Sequence, residues 1–257
     1  MNMTLKPAFG LSGSTLKVIA MISMVIDHIA LYLMDDSTVL YETMRCIGRI
    51  AFPVFAFLIA EGFIHTRSRY RYFFTLLGFA VISEVPWYLL NGADGTHNVM
   101  FTLALGVATL MVLENLLQRS LVLGFIWTLG MAGLASLLGV DYEWIGILIT
   151  VIFYLFNGYG HSFPYSRGMQ FFCIFVLMMH YGMIGTVIAC MFLYLYNGTR
   201  GFIKAHKGKY VFYMFYPIHL LIIYEILIFQ NTIIVERFFY NKNYLTTYFI
   251  STYNYMI

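Results

Sequence analysis

Long apolar runs alternate with short polar segments along the whole chain. Nine of these runs are long and apolar enough to span, or nearly span, a bilayer, which takes about 20 residues per helix. Small residues recur inside the runs, which favours closely packed membrane helices over the alternating pattern of a β-barrel. The pattern predicts transmembrane helices over 15–34, 46–65, 70–91, 98–117, 120–138, 143–158, 168–181, 182–197 and 209–229.

The predicted fold is an all-α, polytopic membrane helix bundle of about nine helices around a central polar cavity. No internal repeat or low-complexity linker divides the chain, so we expect one domain over residues 1–257. The seventh and eighth runs are short and are joined only by "HYG". The segment 230–257 is rich in Tyr and Phe, which is typical of an interfacial tail or a partner contact. A tenth, imperfect span in this tail is the alternative.

The charged loops predict the orientation of the helices. Basic segments occur in alternate loops, namely "TRSRYRY" (66–72), "QRS" (118–120), "YSRG" (165–168) and "TRGFIKAHKGK" (199–209). The intervening loops carry acidic residues, in "MDDSTVLYETMR" (34–45), "NGADGTHN" (91–98) and "GVDYEW" (139–144). The positive-inside rule then places the N-terminus and the basic loops in the cytoplasm. We therefore expect a multi-pass protein of a bacterial inner (cytoplasmic) membrane, with the lipid bilayer as a partner.

Composition excludes several other classes of protein. The chain has 61% hydrophobic and 11% charged residues, whereas soluble domains have roughly 25% charged residues. Its 3 cysteines are scattered, without the paired Cys and His spacing of a zinc site. We therefore expect no metal and no nucleic-acid partner.

A few ionisable residues lie inside the predicted spans. Such residues are costly in hydrocarbon and by default face the bundle interior or a water-filled cavity. Their staggered depths are typical of the lining of a passage. The set that matters for function is Asp27, His28, Arg49, Glu61, Glu84 and His219.

Lys17 and His28 are related by helix geometry. Eleven residues make about three turns, so the two side chains share a face of the first helix, roughly 16 Å apart along its axis. Lys17 would lie at the cytoplasmic mouth and His28 at mid-membrane, where an imidazole can act as a general base. Asp27 points about 100° away from His28 and is expected to meet Arg49 or another helix.

Other interpretations of these residues stay open. A single intramembrane histidine can be a packing residue, and an Asp–Arg pair can join helices without chemistry. Buried carboxylates and histidines also form proton relays, so a proton-coupled or small-metabolite transporter is the main alternative. A non-catalytic assembly subunit for surface fibres would suit the aromatic tail.

Five ordered motifs carry a family resemblance. They are "LSGSTLKVIAMISMVIDHIALYL" (11–33), "IGRIAFPVFAFLIAEGFIHTRSRYRY" (47–72), "FAVISEVPW" (79–87), "NVMFTLALG" (98–106) and "KYVFYMFYPIHLLII" (209–223). Together they resemble the TraX family, which is known for acetylating the N-terminus of conjugative pilin. That family is similar in turn to the acyltransferase-3 group, whose first helix carries a basic residue, ten intervening residues and a histidine. Lys17 and His28 stand at this spacing.

The resemblance implies an integral-membrane acyltransferase that uses acetyl-CoA as co-substrate. The acceptor would be an amine or hydroxyl of pilin, a peptide or a glycan at the outer side, with His28 as general base. Asp27, Arg49 and Glu84 would complete the catalytic set. Glu61, Asn98 and His219 would contact the substrate. Cations for the acyl-CoA phosphates would come from Lys17, Arg67, Arg69, Arg71, Lys204 and Lys209, with His65 at the same interface. The run 67–71 serves equally well as a topology signal alone.

Overall fold

The computed structural model describes residues 10–159, 166–202 and 208–254, with side chains described for 10–157, 168–202 and 210–233. Every regular element in these ranges is helical, which confirms the all-α part of the predicted fold. The helices are α1 (Gly13–Leu33), α2 (Val39–Gly48), α3 (Ala51–His65), α4 (Arg69–Asn91), α5 (Val99–Arg119), α6 (Leu121–Leu137), α7 (Glu143–Tyr154) with a π-helical turn (Leu155–Tyr159), α8 (Ser166–Met178), α9 (Met183–Tyr194) and α10 (Gly208–Asn254).

Five helical segments are long and apolar enough to cross a membrane. They are α1, the α2–α3 pair taken together, α4, α5 and the part of α10 between Tyr210 and Ile233. The remaining apolar helices α6 to α9 have between 10 and 17 residues in the described part of the chain. These helices indicate a membrane protein, and the count of nine spans stays a prediction.

Two predicted segments differ from the observed helices. The expected outer loop 34–45 is partly helical, because α2 begins at Val39, where the Thr38 hydroxyl accepts a hydrogen bond from the Tyr41 amide. The helix is interrupted between α2 and α3 at Arg49. Pro53 lies four residues later, and its ring would clash with the Arg49 carbonyl in a regular helix. The backbone of the predicted tail 230–257 continues as helix to Asn254.

Helix α3 is the centre of the bundle. It packs against α1, α5, α7 and α9, while α10 packs against α1 and α4. Val54, Ala56, Ala60 and Phe63 of α3 are fully buried. Because four helices surround α3, most of its side chains face other helices rather than lipid.

Loop contacts define the two ends of the bundle. Near the start of α1, the Gly13 amide donates to the Thr199 carbonyl at 2.8 Å. At the opposite end, the His97 amide donates to the Gly139 carbonyl at 2.9 Å, which joins the loop before α5 to the loop before α7. The structure therefore separates the basic 199–201 segment from the 91–98 and 139–142 loops, as the alternating loop charges predict.

Candidate active site

A cavity of about 110 Å³ lies between α1, α2, α3 and the loop before α7. This volume holds a few waters or one acetyl-sized group. Its polar lining comes from Asp27, His28, Arg45, Arg49, Asp141 and Tyr142, and its apolar lining includes Phe52, Phe55 and Trp87. The predicted central polar cavity is therefore present, and it is small. A larger groove of about 490 Å³ between α8 and α9 is lined mainly by apolar side chains and lies elsewhere.

Helix α1 presents one continuous buried face to the bundle. Its first turn is capped by Ser12, whose hydroxyl accepts a hydrogen bond from the Thr15 amide. The buried positions then recur every three or four residues, as a helix packed on one side requires. They are Gly13, Ser14, Leu16, Ala20, Ser23, Met24, His28 and Ala30. This face brings His28 to the cavity.

Asp27 pairs with Arg45, not with the expected Arg49. The Arg45 guanidinium donates to Oδ2 of Asp27 at 2.7 Å, and both side chains are largely buried. The predicted partner is Arg49 or another helix, and Arg45 lies on such a helix, α2, in a segment that the sequence pattern predicts to be a loop. Asp27 Oδ1 is buried without a hydrogen-bond partner among the described residues, and it lies against the backbone of Gly48.

Ser23 holds the end of α2 against α1. Its hydroxyl donates to the Ile47 carbonyl at 2.6 Å, one turn before Asp27. A helix C-terminus leaves carbonyl groups without intrahelical partners, and this bond satisfies one of them. Ser23 and Asp27 thus fix α2 at two successive turns of α1, which sets the position of Arg45.

Arg49 lies at the same cavity but makes different contacts. Its guanidinium lies close enough to Tyr142 to act on it electrostatically, and it lies 6.0 Å from the centre of the Tyr181 ring. Tyr142 in turn stacks on Phe52, with ring centres 3.7 Å apart. Tyr142 has a φ of 61°, a left-handed conformation that a non-glycine residue rarely adopts. A residue that the surrounding structure holds in such a sparsely populated backbone conformation is typical of functional sites.

Asp141 brings a second carboxylate to the cavity from the loop before α7. Its Oδ1 accepts a hydrogen bond from the Tyr142 amide at 2.9 Å. Its backbone amide donates to the His97 carbonyl, also at 2.9 Å. Burial raises the pKa of Asp141 to about 6. The hydrogen bond from the Tyr142 amide and the nearby arginines Arg49 and Arg45 oppose this shift.

His28 contacts a second histidine. Nδ1 of His28 lies 2.7 Å from Nε2 of His219, which α10 supplies from across the helix interface. The rings are parallel within 4° and their centres are 5.0 Å apart. Since this separation greatly exceeds the nitrogen–nitrogen distance, the rings meet edge to edge. Tyr32 and Tyr216 flank His28 with their rings at steep angles.

Lys17 faces the same helix as His28. Its Nζ lies 5.5 Å from the centre of the Phe212 ring of α10, two turns before His219. Contacts of both side chains with α10 place Lys17 and His28 on one face of α1, as their spacing predicts. Arg200 lies close enough to Lys17 to act on it electrostatically. Lys17 and Arg200 therefore lie together at the end of the bundle where α1 begins.

Two predicted residues, Glu84 and Asn98, form a separate cluster together with His97. Glu84 accepts hydrogen bonds from His97 at 2.5 Å and from Asn98 at 2.6 Å. The second amide hydrogen of Asn98 goes to the Ala80 carbonyl, and its oxygen caps α5 through the Met100 amide. Asn98 is therefore fully used in fixing α5. This cluster joins α4 to α5 beside the cavity and does not line it.

The remaining predicted residues lie near the loops at the start of α1. Glu61 accepts from the Tyr196 hydroxyl at 3.1 Å and contacts exposed His65 at the same distance. Arg69 pairs with Glu114 and lies over the Phe63 ring, so its charge is already neutralised. Arg67 and Arg71 are exposed. Lys204 and the side chain of Lys209 lie outside the described residues.

Sequence reasoning missed Arg45, Asp141 and Tyr142. All three lie in segments that the alternating charges predict to be outer loops, where a polar residue gives no sign of a role inside the bundle. Arg45 precedes Arg49 by four residues, a spacing that puts both on one side of a continuous helix. This spacing is a signal that Arg45 lies near Arg49, but it is weak because the helix is interrupted at Arg49. No comparable pattern marks Asp141, which reaches the cavity by loop packing.

The fold and the site define a helical membrane protein with a buried, mixed-charge cavity. The sequence profile of the family described as TraX protein matches residues 12–227. The chain belongs to this family.

Two similar proteins extend this result. The probable fimbrial assembly protein FimC, serogroup H1, of Dichelobacter nodosus is 33% identical, over 81% of this chain and 93% of that protein. An uncharacterised protein of Rickettsia prowazekii (strain Madrid E) is also 33% identical, over 43% of this chain and 41% of that protein. No solved structure matches the chain. The family and the fimbrial relative fit a pilin-related membrane protein.

Proposed function

We propose that this protein is an acetyl-CoA-dependent acyltransferase of the bacterial inner membrane that modifies pilin or a surface glycan. The observation that carries the proposal is the position of His28. It lies at a small cavity with two arginines and shares a helix face with Lys17. Family membership and the fimbrial relative support pilin as the acceptor.

The donor would enter from the end of the bundle where α1 begins, with the N-terminus in the cytoplasm. Lys17 and Arg200 supply cations there, and acyl-CoA phosphates require such partners. The long pantetheine arm would follow the α1–α10 interface toward His28. Arg69 is paired with Glu114 and is a weaker candidate for this role than Lys17. Exposed Arg67 and Arg71 would contribute long-range attraction.

The acceptor would enter from the opposite end of the bundle. His28 would take the proton of an acceptor amine or hydroxyl as its lone pair attacks the thioester carbonyl carbon. The carbon–sulfur bond then breaks, and the proton passes from His28 to the coenzyme A sulfur. Arg49 and Arg45 lie at the same cavity and would stabilise the negative charge that develops on the carbonyl oxygen.

The dimensions of the cavity support an acetyl group rather than a long acyl chain. Phe52 and Phe55 narrow the cavity to about 110 Å³. The remaining predicted residues would act at a distance from the reaction. Asp27 would hold Arg45, and Glu84 and Asn98 would hold α4 against α5. Glu61 and His65 would lie near the donor entrance.

The test uses purified full-length protein in lipid nanodiscs with radiolabelled acetyl-CoA and pilin from cells that lack this protein. We expect transfer of label to pilin and a loss of about 100-fold or more in His28→Ala. The matched control is His180→Ala, because His180 is exposed and does not line the cavity. Mass spectrometry of pilin and surface glycans then identifies the acceptor.

The main alternative is a proton-coupled transporter, which the same buried carboxylates and histidines favour. Proteoliposomes with an internal pH dye distinguish the two functions. A proton flux that requires His28, with the thioester intact in every reaction, would contradict the acyltransferase. Thioester loss that survives His28→Ala would contradict only the role given to His28.

A further inference from the structure

His219 forms a hydrogen-bonded chain that begins at a backbone carbonyl. Nδ1 of His219 lies 2.9 Å from the carbonyl oxygen of Phe215, one turn earlier on α10. A carbonyl oxygen only accepts, so Nδ1 of His219 must carry a hydrogen and donate it. Its other nitrogen, Nε2, points to His28 at 2.7 Å.

Both rings are neutral in the resting protein. Among the described residues, no carboxylate lies within ion-pair distance of either ring, and both residues are buried. A buried imidazolium without a counterion is strongly unfavourable. A neutral imidazole has one donor nitrogen and one acceptor nitrogen. Because Nδ1 of His219 donates, its Nε2 must accept.

These two hydrogen bonds determine which nitrogen of His28 carries the hydrogen. Nδ1 of His28 must carry the hydrogen that Nε2 of His219 accepts, since no other donor stands between them. Nε2 of His28 is then unprotonated, and no described residue bonds to it. His28 itself lines the cavity. A general base needs this arrangement, with a free lone pair facing the reacting group.

The packing around His219 holds this arrangement in place. The Phe215 ring stacks on His219 with centres 5.2 Å apart, and the Tyr216 ring meets it at a steep angle. Pro217 lies two residues before His219 and has no backbone N–H. The Tyr213 carbonyl therefore lacks its usual intrahelical donor. The missing hydrogen bond lies close to the point where His219 reaches across to α1.

We propose that His219 is a positioning residue that holds His28 in the tautomer with its hydrogen on Nδ1, which leaves Nε2 free to take the acceptor's proton. This proposal rests on the proposed acyltransferase function for its chemical meaning. When Nε2 of His28 takes the proton, His28 becomes an imidazolium and its bond to His219 becomes charge-assisted. His219 thus favours the protonated intermediate without touching either substrate.

The first test is independent of activity. Protein labelled with ¹⁵N-histidine is studied by NMR in detergent micelles, and the His28 and His219 signals are assigned by their loss in His28→Gln and His219→Gln. We expect both rings to carry their hydrogen on Nδ1. In His219→Ala we expect His28 to shift toward the Nε2-protonated form. A wild-type His28 with its hydrogen on Nε2, or an unchanged tautomer in His219→Ala, overturns the proposal.

The second test measures transfer kinetics. We expect His219→Ala to lower kcat about 10- to 100-fold with little change in KM for acetyl-CoA, as with other supporting residues of catalytic histidines. His219→Gln retains an acceptor oxygen near the position of Nε2 and should recover most of the rate. Equal loss in both variants, with normal folding by circular dichroism, overturns the proposal. Absence of acetyl transfer by the wild type would refute the proposed function. The NMR measurement would then still test the proposed tautomer of His28.

Discussion

The Arg45 guanidinium donates a 2.7 Å hydrogen bond to Asp27 and so ties the end of α2 to the middle of α1. Both side chains are mostly buried, with 17% and 14% exposed. The bond aligns a positive charge with the cavity while it neutralises the carboxylate beside His28. Much of the site geometry therefore depends on a helix that the hydrophobic pattern alone did not predict.

Removal of the Asp27–Arg45 bond should destabilise the protein. Arg45→Met leaves the Asp27 carboxylate without its partner, and we expect a loss of about 2 kcal/mol, typical of a hydrogen bond between charged groups. Thermal unfolding in detergent measures this loss. Exposed Arg67→Met is the matched control and should change stability little. A double variant with Asp27→Asn should lose less than the sum of the single variants, and strict additivity would contradict a direct pairing.

Gly48→Ala should destabilise the same contact. A Cβ at Gly48 would overlap the Asp27 side chain, so α2 must move away from α1. We expect a loss of about 1–3 kcal/mol, as for other overpacked cores. Gly78→Ala in α4 is the control, because no atom lies within 4 Å of the added methyl group. That substitution should be neutral or slightly stabilising in thermal unfolding, and equal losses in the two variants would argue against the overlap.

The Asp141 carboxyl should make stability depend on pH. Its pKa is raised to about 6 in the folded protein by burial, from an ordinary value of 3.8. The folded state therefore binds this proton more tightly, and the contribution to stability is lost as pH rises from about 4 to about 6. Asp27, Arg45 and Arg49 are the charged groups that act on it.

The control for this pH effect is Asp141→Asn, which keeps the shape but cannot titrate. As pH rises from about 4 to about 6, the unfolding temperature of the wild type should fall relative to that of Asp141→Asn. A constant difference between pH 4 and pH 7 would show that Asp141 does not titrate as the buried site requires.

Phe55 should limit the length of the acyl group. Phe55 lines the cavity, and Phe55→Ala would enlarge it, which would give room to a longer acyl chain. We expect the ratio of kcat/KM for butyryl-CoA to that for acetyl-CoA to rise about 10-fold or more, since each methylene in an apolar pocket has such an effect. Phe57→Ala is the matched control, because Phe57 packs against Phe153 and Tyr196 instead. The same change of ratio in both variants would exclude Phe55 as the determinant.

Lys17 should contribute to binding of the donor through its phosphates. Lys17→Gln should raise KM for acetyl-CoA about 10-fold, as expected for loss of one charge-assisted contact. Acetyl-pantetheine lacks the nucleotide phosphates, so its KM should not change. Arg119→Gln, an exposed cation at the end of α5, is the control. An equal rise for both thioesters would place Lys17 elsewhere on the donor path.

Much of the bundle follows from the sequence. Apolar runs of bilayer length predict helices because backbone polar groups in lipid must be satisfied within the segment. The eleven-residue spacing of Lys17 and His28 fixes their common face by helix geometry alone. The position of each polar residue along its helix is therefore readable, and so is the separation of basic and acidic loops.

The partners of these residues were decided by the tertiary structure. Helix periodicity says which face a residue occupies but not which helix covers that face, so the sequence leaves the partner of Asp27 as Arg49 or another helix, and the structure gives Arg45 of α2. His219 joins His28 because α10, although last in the chain, packs directly beside α1. Asp141 reaches the cavity only because two loops hydrogen-bond to each other. Such contacts between distant segments depend on the packing of the whole bundle, which no local pattern encodes.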